Sequence, residues 1–329
     1  MTKIILACLI LLSPLPSIAH IGLSEINFKD EVRERNIESY IFYPTAEKAT
    51  KMYAENVAFY GFDAAEGAKV SKDKLPLFIL VHGTSGNWKN MSWLAKALAE
   101  EAIVISANFP NYTTGQATPE SILKPWDQAK DVSFLIDAIS ESSFGKYIDH
   151  NKTVVIGNSL GGYTAMALSG AILDLGKYPD FCKVNFDKSC GYFEEALNQL
   201  SANNVEQAKQ SLTDKRVKLA IALTPGFTES MTQESLTSLT TPILIISAEH
   251  DKNVPPKTHL SNIPDNIEQY QINEASHFSF LQLCKPNAIA ILAEEGASFV
   301  CEDSKLKARA EVHQETLDQI RVFLSKHGF

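Results

Sequence analysis

Residues 152–163, Lys-Thr-Val-Val-Ile-Gly-Asn-Ser-Leu-Gly-Gly-Tyr, constrain the fold of this chain more than any other stretch. An apolar β-branched run at 154–156 meets Gly157-Asn158-Ser159-Leu160-Gly161, and a helix-compatible stretch from Tyr163 to Leu173 follows. The order strand, G-x-S-x-G, helix puts the serine on a sharp turn, with its hydroxyl exposed above a sheet and a helix N-terminus behind it. A bare G-x-S-x-G also occurs in ordinary glycine-rich turns, so the prediction depends on the flanking elements. They predict that Ser159 is a nucleophile.

A serine hydroxyl reacts only when a base removes its proton, and the base needs a carboxylate to orient it. Where the nucleophile stands on such a turn, the acid comes next in the chain and the histidine last. Asp251 follows a predicted strand at 242–247 and is the predicted acid, with Glu249 as its competitor and a turn-capping role as the alternative. His277 follows a predicted strand at 268–272 and is the predicted base.

The remaining histidines fit the role of base less well. His150 precedes the strand that leads to the serine, and His250 comes too early in the chain. His259 and His313 lie on predicted helices, where we expect solvent-exposed side chains. His82 belongs to a glycine-containing loop and is expected to make structural hydrogen bonds.

Attack by serine creates an oxyanion that needs backbone N–H donors aimed at it. One predicted donor is the amide of Leu160, directly after the nucleophile. The other is the amide of Thr84, which follows Val81-His82-Gly83, where glycine lets the backbone approach closely. The alternative for this second loop is an ordinary glycine-rich turn.

Apolar strands that alternate with amphipathic helices predict an α/β protein with a mostly parallel central sheet and helices on both faces. The predicted strands are 37–43, 55–62, 75–81, 102–107, 154–156, 217–223, 242–247 and 268–272. The predicted helices are 91–98, 127–139, 163–173, 193–212 and 311–323. We expect one domain at 20–329, with insertions at about 175–216 and 283–304 that form a small cap over the active-site edge.

The first residues predict a secretory signal peptide. Lys3 precedes an apolar run from Ile4 to Leu12, and the small residues Ser17 and Ala19 form a cleavage site before His20. The predicted signal is 1–19, so we expect an exported protein, periplasmic or secreted. A lipoprotein reading of Cys8 is the alternative, but this cysteine lies too early in the apolar run.

Composition excludes several partners. The formal net charge of −9 gives no basic footprint for nucleic acid, and no later segment reaches the roughly 20 apolar residues that a stable membrane insertion requires. Four cysteines remain after the predicted cleavage, an even number that favours disulfides in an exported chain. Of three possible pairings we favour Cys182–Cys190 and Cys284–Cys301, because each closes a short loop. A metal site is the alternative, but the spacings are wide and no histidine lies at ligand spacing.

With these residues in hand, the chain resembles the α/β-hydrolase superfamily. More narrowly, it is similar to exported dienelactone-hydrolase-related proteins and to platelet-activating-factor acetylhydrolases over nearly the whole mature chain. The similarity rests on segments that include Tyr43-Pro44, Leu80 to Gly83, Asp131 to Leu135, Gly157 to Tyr163, Phe181-Cys182, Ala220 to Pro225 and Cys301 to Asp303. The chain departs from dienelactone hydrolases proper, which carry a cysteine nucleophile, and from the common histidine at the position of Asn158.

The resemblance implies ester hydrolysis without a cofactor. We therefore expect a serine hydrolase that cleaves short-to-medium acyl or phospholipid-type esters through Ser159, Asp251, His277 and an acyl-enzyme. Its partner would be a small-molecule or lipid ester. The alternatives are an amidase or peptidase on the same triad, or a catalytically silent binding protein, which would be expected to lack one of the three residues.

Overall fold

The computed structural model describes residues 20–329, so the predicted signal peptide at 1–19 lies outside the described residues. Ten strands form one sheet in the order β10-β9-β8-β7-β5-β6-β2-β1-β4-β3. Their bounds are β1 His20–Asp30, β2 Arg35–Thr45, β3 Lys51–Tyr53, β4 Phe62–Glu66, β5 Leu75–Val81, β6 Ile103–Asn108, β7 Ile148–Asn158, β8 Val217–Leu223, β9 Ile243–Ala248 and β10 Glu268–Ile272.

Six neighbouring strands, β6-β5-β7-β8-β9-β10, run parallel, and β2 and β1 add to the sheet in antiparallel register. The run Leu75–Val81 is buried along almost its whole length, as expected of a parallel strand that is covered on both faces. Because parallel strands end at the same edge, the loops after these six strands share one edge of the sheet.

Helices cover both faces, which confirms the predicted α/β architecture. Helices α3 and α4 pack on one face, and α1 and α11 pack on the other. The helix bounds are α1 Ser92–Leu98, α2 Pro119–Ile122, α3 Trp126–Glu141, α4 Leu160–Leu168, α5 Tyr178–Val184, α6 Lys188–Leu197, α7 Ala202–Ala208, α8 Gln233–Thr237, α9 Pro256–His259, α10 Ala288–Ala293 and α11 Arg309–Lys326. Among residues 20–329, no helix is both long enough and apolar enough to cross a membrane.

The predicted strand at 55–62 is wrong. The carboxamide oxygen of Asn56 accepts hydrogen bonds from the amides of Ala58 and Phe59 at 2.9 and 2.8 Å, and this turn breaks the extended backbone. Gly61 then passes so close to the chain that a Cβ atom there would lie 2.3 Å from Tyr53 O. Strand β4 begins only at the following residue.

Two predicted helices also have different bounds. The helix after the serine ends at Leu168, because Gly170 turns the chain with φ +117°. The predicted helix 193–212 is two helices, since Ser201 starts α7 by accepting a hydrogen bond from Asn204 N through its hydroxyl. The chain was too polar there for periodicity to reveal the break.

Both predicted insertions are built around a disulfide. The segment 175–216 contains α5, α6 and α7 and the bond Cys182–Cys190. The segment 283–304 contains α10 and the bond Cys284–Cys301. These are the two cysteine pairs that the sequence analysis favoured because each closes a short loop.

Candidate active site

Ser159 lies on the turn between β7 and α4 with φ +55°, a backbone conformation that non-glycine residues rarely adopt. The two flanking glycines make this turn possible. A Cβ atom at Gly157 would lie 1.8 Å from Gly161 O, and a Cβ atom at Gly161 would lie 2.0 Å from Val81 O. The G-x-S-x-G pattern is therefore a packing requirement in which the helix start is pressed against β7 and β5.

Backbone hydrogen bonds fix the turn to the neighbouring strand. Ser159 N donates to Leu223 O at the end of β8, at 2.9 Å, and Gly226 N donates to Ser159 O at 3.1 Å. The buried side chain of Asn158 donates to Thr224 Oγ1 at 3.0 Å. The strained serine is thus held from β8 as well as from its own strand.

We expect Gly161→Ala to lower the free energy of unfolding by about 3 kcal/mol, because the new methyl group would overlap a backbone carbonyl that cannot move without distorting β5. The matched control is Gly191→Ala on the exposed face of α6, where the nearest atom to the new Cβ is on Phe186 at 3.6 Å. Alanine there should raise stability by about 0.5–1 kcal/mol. Urea unfolding measures both changes, and equal stability of the two variants would contradict this packing account.

The predicted acid and base form a buried pair. Asp251 follows β9 and His277 follows β10, and His277 Nδ1 lies 2.7 Å from Asp251 Oδ2. The other oxygen of Asp251 accepts hydrogen bonds from Asn253 N and Val254 N, each at 2.8 Å. These bonds aim the carboxylate at the imidazole. Both residues are less than 7% exposed, so little water competes for the pair.

The serine and the pair stand at the same edge of the sheet. Strand β8 alone separates β7 from β9, so the two ends lie roughly 10 Å apart. An imidazole held by Asp251 can span much of that gap. Within residues 20–329, His277 makes its hydrogen bond to Asp251 and none to Ser159. Serine–histidine bonds of this kind are often long before substrate binds.

Glu249, the competing acid, points elsewhere. Its Oε2 accepts a hydrogen bond from Glu274 N at 2.9 Å, and its side chain is exposed. Glu249, His250 and Glu274 place potential metal-ligand atoms within 4.8 Å of one another. These groups are exposed or already hydrogen-bonded to neighbours, and Ser304 Oγ donates to Glu274. We assign no metal to them.

The loop after β5 lies directly against the serine. A Cβ atom at Gly83 would lie 3.0 Å from Ser159 Cβ, so only glycine fits without a shift. Within residues 20–329, neither Thr84 N nor Leu160 N makes a hydrogen bond to the protein. The two predicted oxyanion donors are therefore unpaired amides on the two segments that meet at Ser159.

His82 fixes this loop. It is buried, and Phe109 N donates to its Nε2 at 3.2 Å, so the ring proton sits on Nδ1 and is donated to Gly83 O at 2.8 Å. Burial lowers the pKa of His82 to about 4, which keeps the ring neutral at neutral pH. The expectation of a structural hydrogen-bonding role agrees with these contacts.

His259 and His313, which we expected at the solvent-exposed surface, are 1% and 6% exposed, so that prediction was wrong. His313 anchors the loop that carries His277. Three consecutive carbonyls of this loop each accept a hydrogen bond of 2.8 Å from a side chain that packs beside it: Phe280 from Trp93, Leu281 from His313 and Gln282 from Arg309. Burial lowers the pKa of His313 to about 3.

The first insertion contacts both sides of the site. Tyr192 Oη on α6 lies 3.1 Å from Ser85 Oγ, next to Thr84, and Lys188 N donates to Lys252 O beside Asp251 at 3.2 Å. A cleft of about 500 Å³ borders His277 and is lined by residues of both insertions, among them Lys188, Phe299 and Ser304. The sequence analysis assigned no substrate-binding residues. The contacts between the first insertion and the site join residues far apart in the chain, so no local sequence pattern could have predicted them.

The comparisons with known proteins agree with this architecture. A solved structure of a ferulic acid esterase from Streptomyces cinnamoneus is similar over 92% of this chain and 89% of that chain, with a TM-score of 0.59 and 14% identity. At that identity the likeness concerns the fold. No curated protein matches the chain in sequence. The model of the alpha/beta hydrolase family matches residues 78–286, which is more than half of the chain and spans every predicted catalytic residue. The chain belongs to the alpha/beta hydrolase family.

Proposed function

We propose that this hydrolase is a serine carboxylesterase. The observation that carries the proposal is the arrangement at one sheet edge of Ser159, on a strained turn, and of the buried Asp251–His277 pair. A buried carboxylate that orients an imidazole near a strained serine is the arrangement that acyl transfer requires. The similarity in fold to a ferulic acid esterase, which is named for ester cleavage, supports the same reaction class.

The mechanism begins with proton transfer. His277 takes the hydroxyl proton of Ser159 through Nε2 as Ser159 Oγ attacks the ester carbonyl, and Asp251 stabilises the imidazolium that forms. The amides of Thr84 and Leu160 donate to the oxyanion. His277 then gives its proton to the leaving alcohol, which leaves an acyl group on Ser159. A water activated by His277 attacks that acyl group and regenerates the free serine.

A largely buried aromatic cluster packs the first insertion against the loop that follows β8 and contacts the serine. Phe227 follows Gly226, whose amide donates to Ser159 O, and its ring centroid lies 5.0 Å from that of Tyr178 and 5.4 Å from that of Phe193. Tyr178 and Phe193 belong to the first insertion. We propose that the two insertions form a small cap and that the substrate is a short-to-medium acyl or phospholipid-type ester.

We also propose a narrower family for this chain. The serine on the turn between β7 and α4 and the disulfide in each insertion support membership of the exported group similar to dienelactone hydrolases and platelet-activating-factor acetylhydrolases. Disulfides form and persist in oxidising compartments, which supports export to the periplasm or beyond the cell.

The test is hydrolysis of p-nitrophenyl esters from acetyl to palmitoyl, with Ser159→Ala as the matched control. We expect kcat/KM to be highest for acyl chains of two to about eight carbons and to fall for palmitate, because the cleft beside His277, lined by residues of both insertions, holds only about 500 Å³. Matched anilides separate an esterase from an amidase. Hydrolysis of the anilides alone would overturn the ester assignment, and no hydrolysis of either series by folded protein would overturn the proposed function.

A further inference from the structure

A buried histidine outside the predicted triad lies between two carboxylates. His259, the last residue of α9, is 1% exposed. Its Nδ1 lies 2.8 Å from Glu229 Oε2, and its Nε2 lies 2.7 Å from Asp187 Oδ2. Carboxylate oxygens only accept hydrogen bonds, so both ring nitrogens must donate. With both carboxyl groups ionised, a neutral imidazole, which has one N–H, could donate to only one of them, so the geometry favours an imidazolium.

The surroundings support the cation. Asp187 Oδ1 accepts from Ser189 Oγ and Cys190 N, and Ser230 Oγ donates to Glu229 Oε1. Burial by itself would lower the pKa of His259, but hydrogen bonds and charge from Asp187 and Glu229 outweigh it and raise that pKa to about 9. The ring of Phe181 packs edge-on at 4.9 Å, and the hydroxyl of Tyr178 lies 2.9 Å from Ser189 Oγ.

The first carboxylate belongs to the cap. Asp187 is the N-cap of α6. The two residues after it donate backbone hydrogen bonds to the loop after β9 that carries Asp251, here called the acid loop: Lys188 N to Lys252 O at 3.2 Å and Ser189 N to Asn253 O at 3.3 Å. Lys252 and Asn253 directly follow Asp251. The Cys182–Cys190 disulfide closes the cap segment at this point. The cap thus rests on the backbone that aims the catalytic carboxylate.

The second carboxylate belongs to the loop after β8. Glu229 lies two residues past Phe227, and the neighbouring Thr228 Oγ1 donates to His259 O at 2.6 Å. The same loop contacts the serine, because Gly226 N donates to Ser159 O. One side chain therefore joins three segments that each contact a member of the predicted triad or its loop.

We infer that His259 is a positioning residue: as a cation it fastens the cap segment 187–190 and the loop after β8 to the acid loop, and so holds Asp251 in line with His277. The inference rests on the proposed function for its activity readout. His259 contacts no reacting atom. We assign its effect on the reaction to the position of Asp251. A shift of Ser159 through Gly226 is the competing route, and the double-variant test below distinguishes the two.

The first test compares His259→Gln with wild type in hydrolysis of p-nitrophenyl butyrate between pH 6 and 10. Glutamine can donate to one carboxylate but sets an oxygen against the other. We expect kcat about 10- to 100-fold lower with little change in KM, since small displacements of catalytic groups have effects of that size. Lys257→Gln, an exposed change on the same helix, should behave as wild type.

Two readouts separate positioning from general destabilisation. Wild-type kcat should fall as pH rises through about 9, and His259→Gln should lack that step. In an Asp251→Asn background, His259→Gln should change kcat less than about twofold, because both changes act on one group. Full additivity, or an unchanged kcat in His259→Gln, would overturn the inference. Should His259→Gln fail to fold, Asp187→Asn removes only the link to the cap and is measured in the same way.

A spectroscopic readout does not depend on turnover. The proton between His277 Nδ1 and Asp251 should give a low-field NMR signal that shifts in His259→Gln and, in wild type, as pH passes about 9. If wild type hydrolyses no ester but the signal responds in this way, the proposed function fails and the positioning stands. If wild type is active and the signal and kcat do not respond, the positioning fails and the proposed function stands.

Stability should follow the same group. Because the pKa of His259 in the folded protein, about 9, exceeds its ordinary value of 6.5, the folded state holds the proton more tightly than the unfolded state. The contribution of this cation to stability is complete below about pH 6.5, declines above it and is gone once pH has passed about 9. The melting temperature of wild type minus that of His259→Gln should follow this curve. A melting-temperature difference that is constant from pH 6 to 10 would contradict the proposed role of the His259 cation.

Discussion

Ser159→Ala should lower kcat for p-nitrophenyl butyrate by about 10⁶-fold, the loss expected when the nucleophile of a Ser-His-Asp triad is removed. The reason is the position of this serine: it lies on a turn at φ +55° directly before Leu160, and the loop of Gly83 and Thr84 packs against it at Gly83. The residual rate should come from binding and oxyanion stabilisation, at about 10³–10⁴ over water.

The matched control is Ser325→Ala, on the exposed end of α11, which should leave kcat unchanged. The circular dichroism spectrum and melting temperature of Ser159→Ala should remain near those of wild type, because the change removes a single hydroxyl. Activity within tenfold of wild type in folded Ser159→Ala would remove Ser159 from the mechanism.

His277→Ala should lower kcat by about 10⁴- to 10⁶-fold, because Ser159 then has no base and the leaving alcohol has no acid. It should also lower stability, since the buried carboxylate of Asp251 loses its side-chain partner. His277→Gln is the better-folded companion: its amide can still donate toward Asp251 but cannot accept the serine proton. We expect both variants to be inactive on the ester series and the glutamine variant to melt closer to wild type.

His150→Ala, at an exposed position of β7, is the matched histidine control and should keep full activity. An assay across pH 5–9 excludes a mere shift of the optimum. If His277→Gln retained more than about a tenth of wild-type kcat at any pH, another residue would be the base.

The apolar pattern of the sequence predicted most of the central strands. Strands Leu75–Val81 and Val217–Leu223 were predicted at the residues where they occur, because largely apolar runs bounded by polar turns have few other solutions in an α/β chain. The more polar strand Glu268–Ile272 also occurs at its predicted residues. The predicted parallel sheet with helices on both faces is confirmed. The turn at Asn56 and the helix N-cap at Ser201 were missed. Each lies inside a stretch whose composition predicted one continuous strand or helix.

The candidate site could be predicted as far as chain order and motif allow. Ser159 has a local signature, and Asp251 and His277 follow strands that end at the same edge. The roles of these three residues stay proposals. His259 has no such signature, because its partners Asp187 and Glu229 lie 72 and 30 positions away in the chain. A histidine on a short polar helix gives no sign that two carboxylates from other loops will bury it.

Reaction of the folded protein with a fluorophosphonate, followed by mass spectrometry of its peptides, tests the central claim most directly. The reagent reacts with a serine only when a base and an oxyanion site activate it. The account predicts one phosphonyl group, on Ser159, with no labelling of Ser159→Ala and strongly slowed labelling of His277→Gln. Absence of label on folded wild-type protein, or label on another serine in its place, would contradict it.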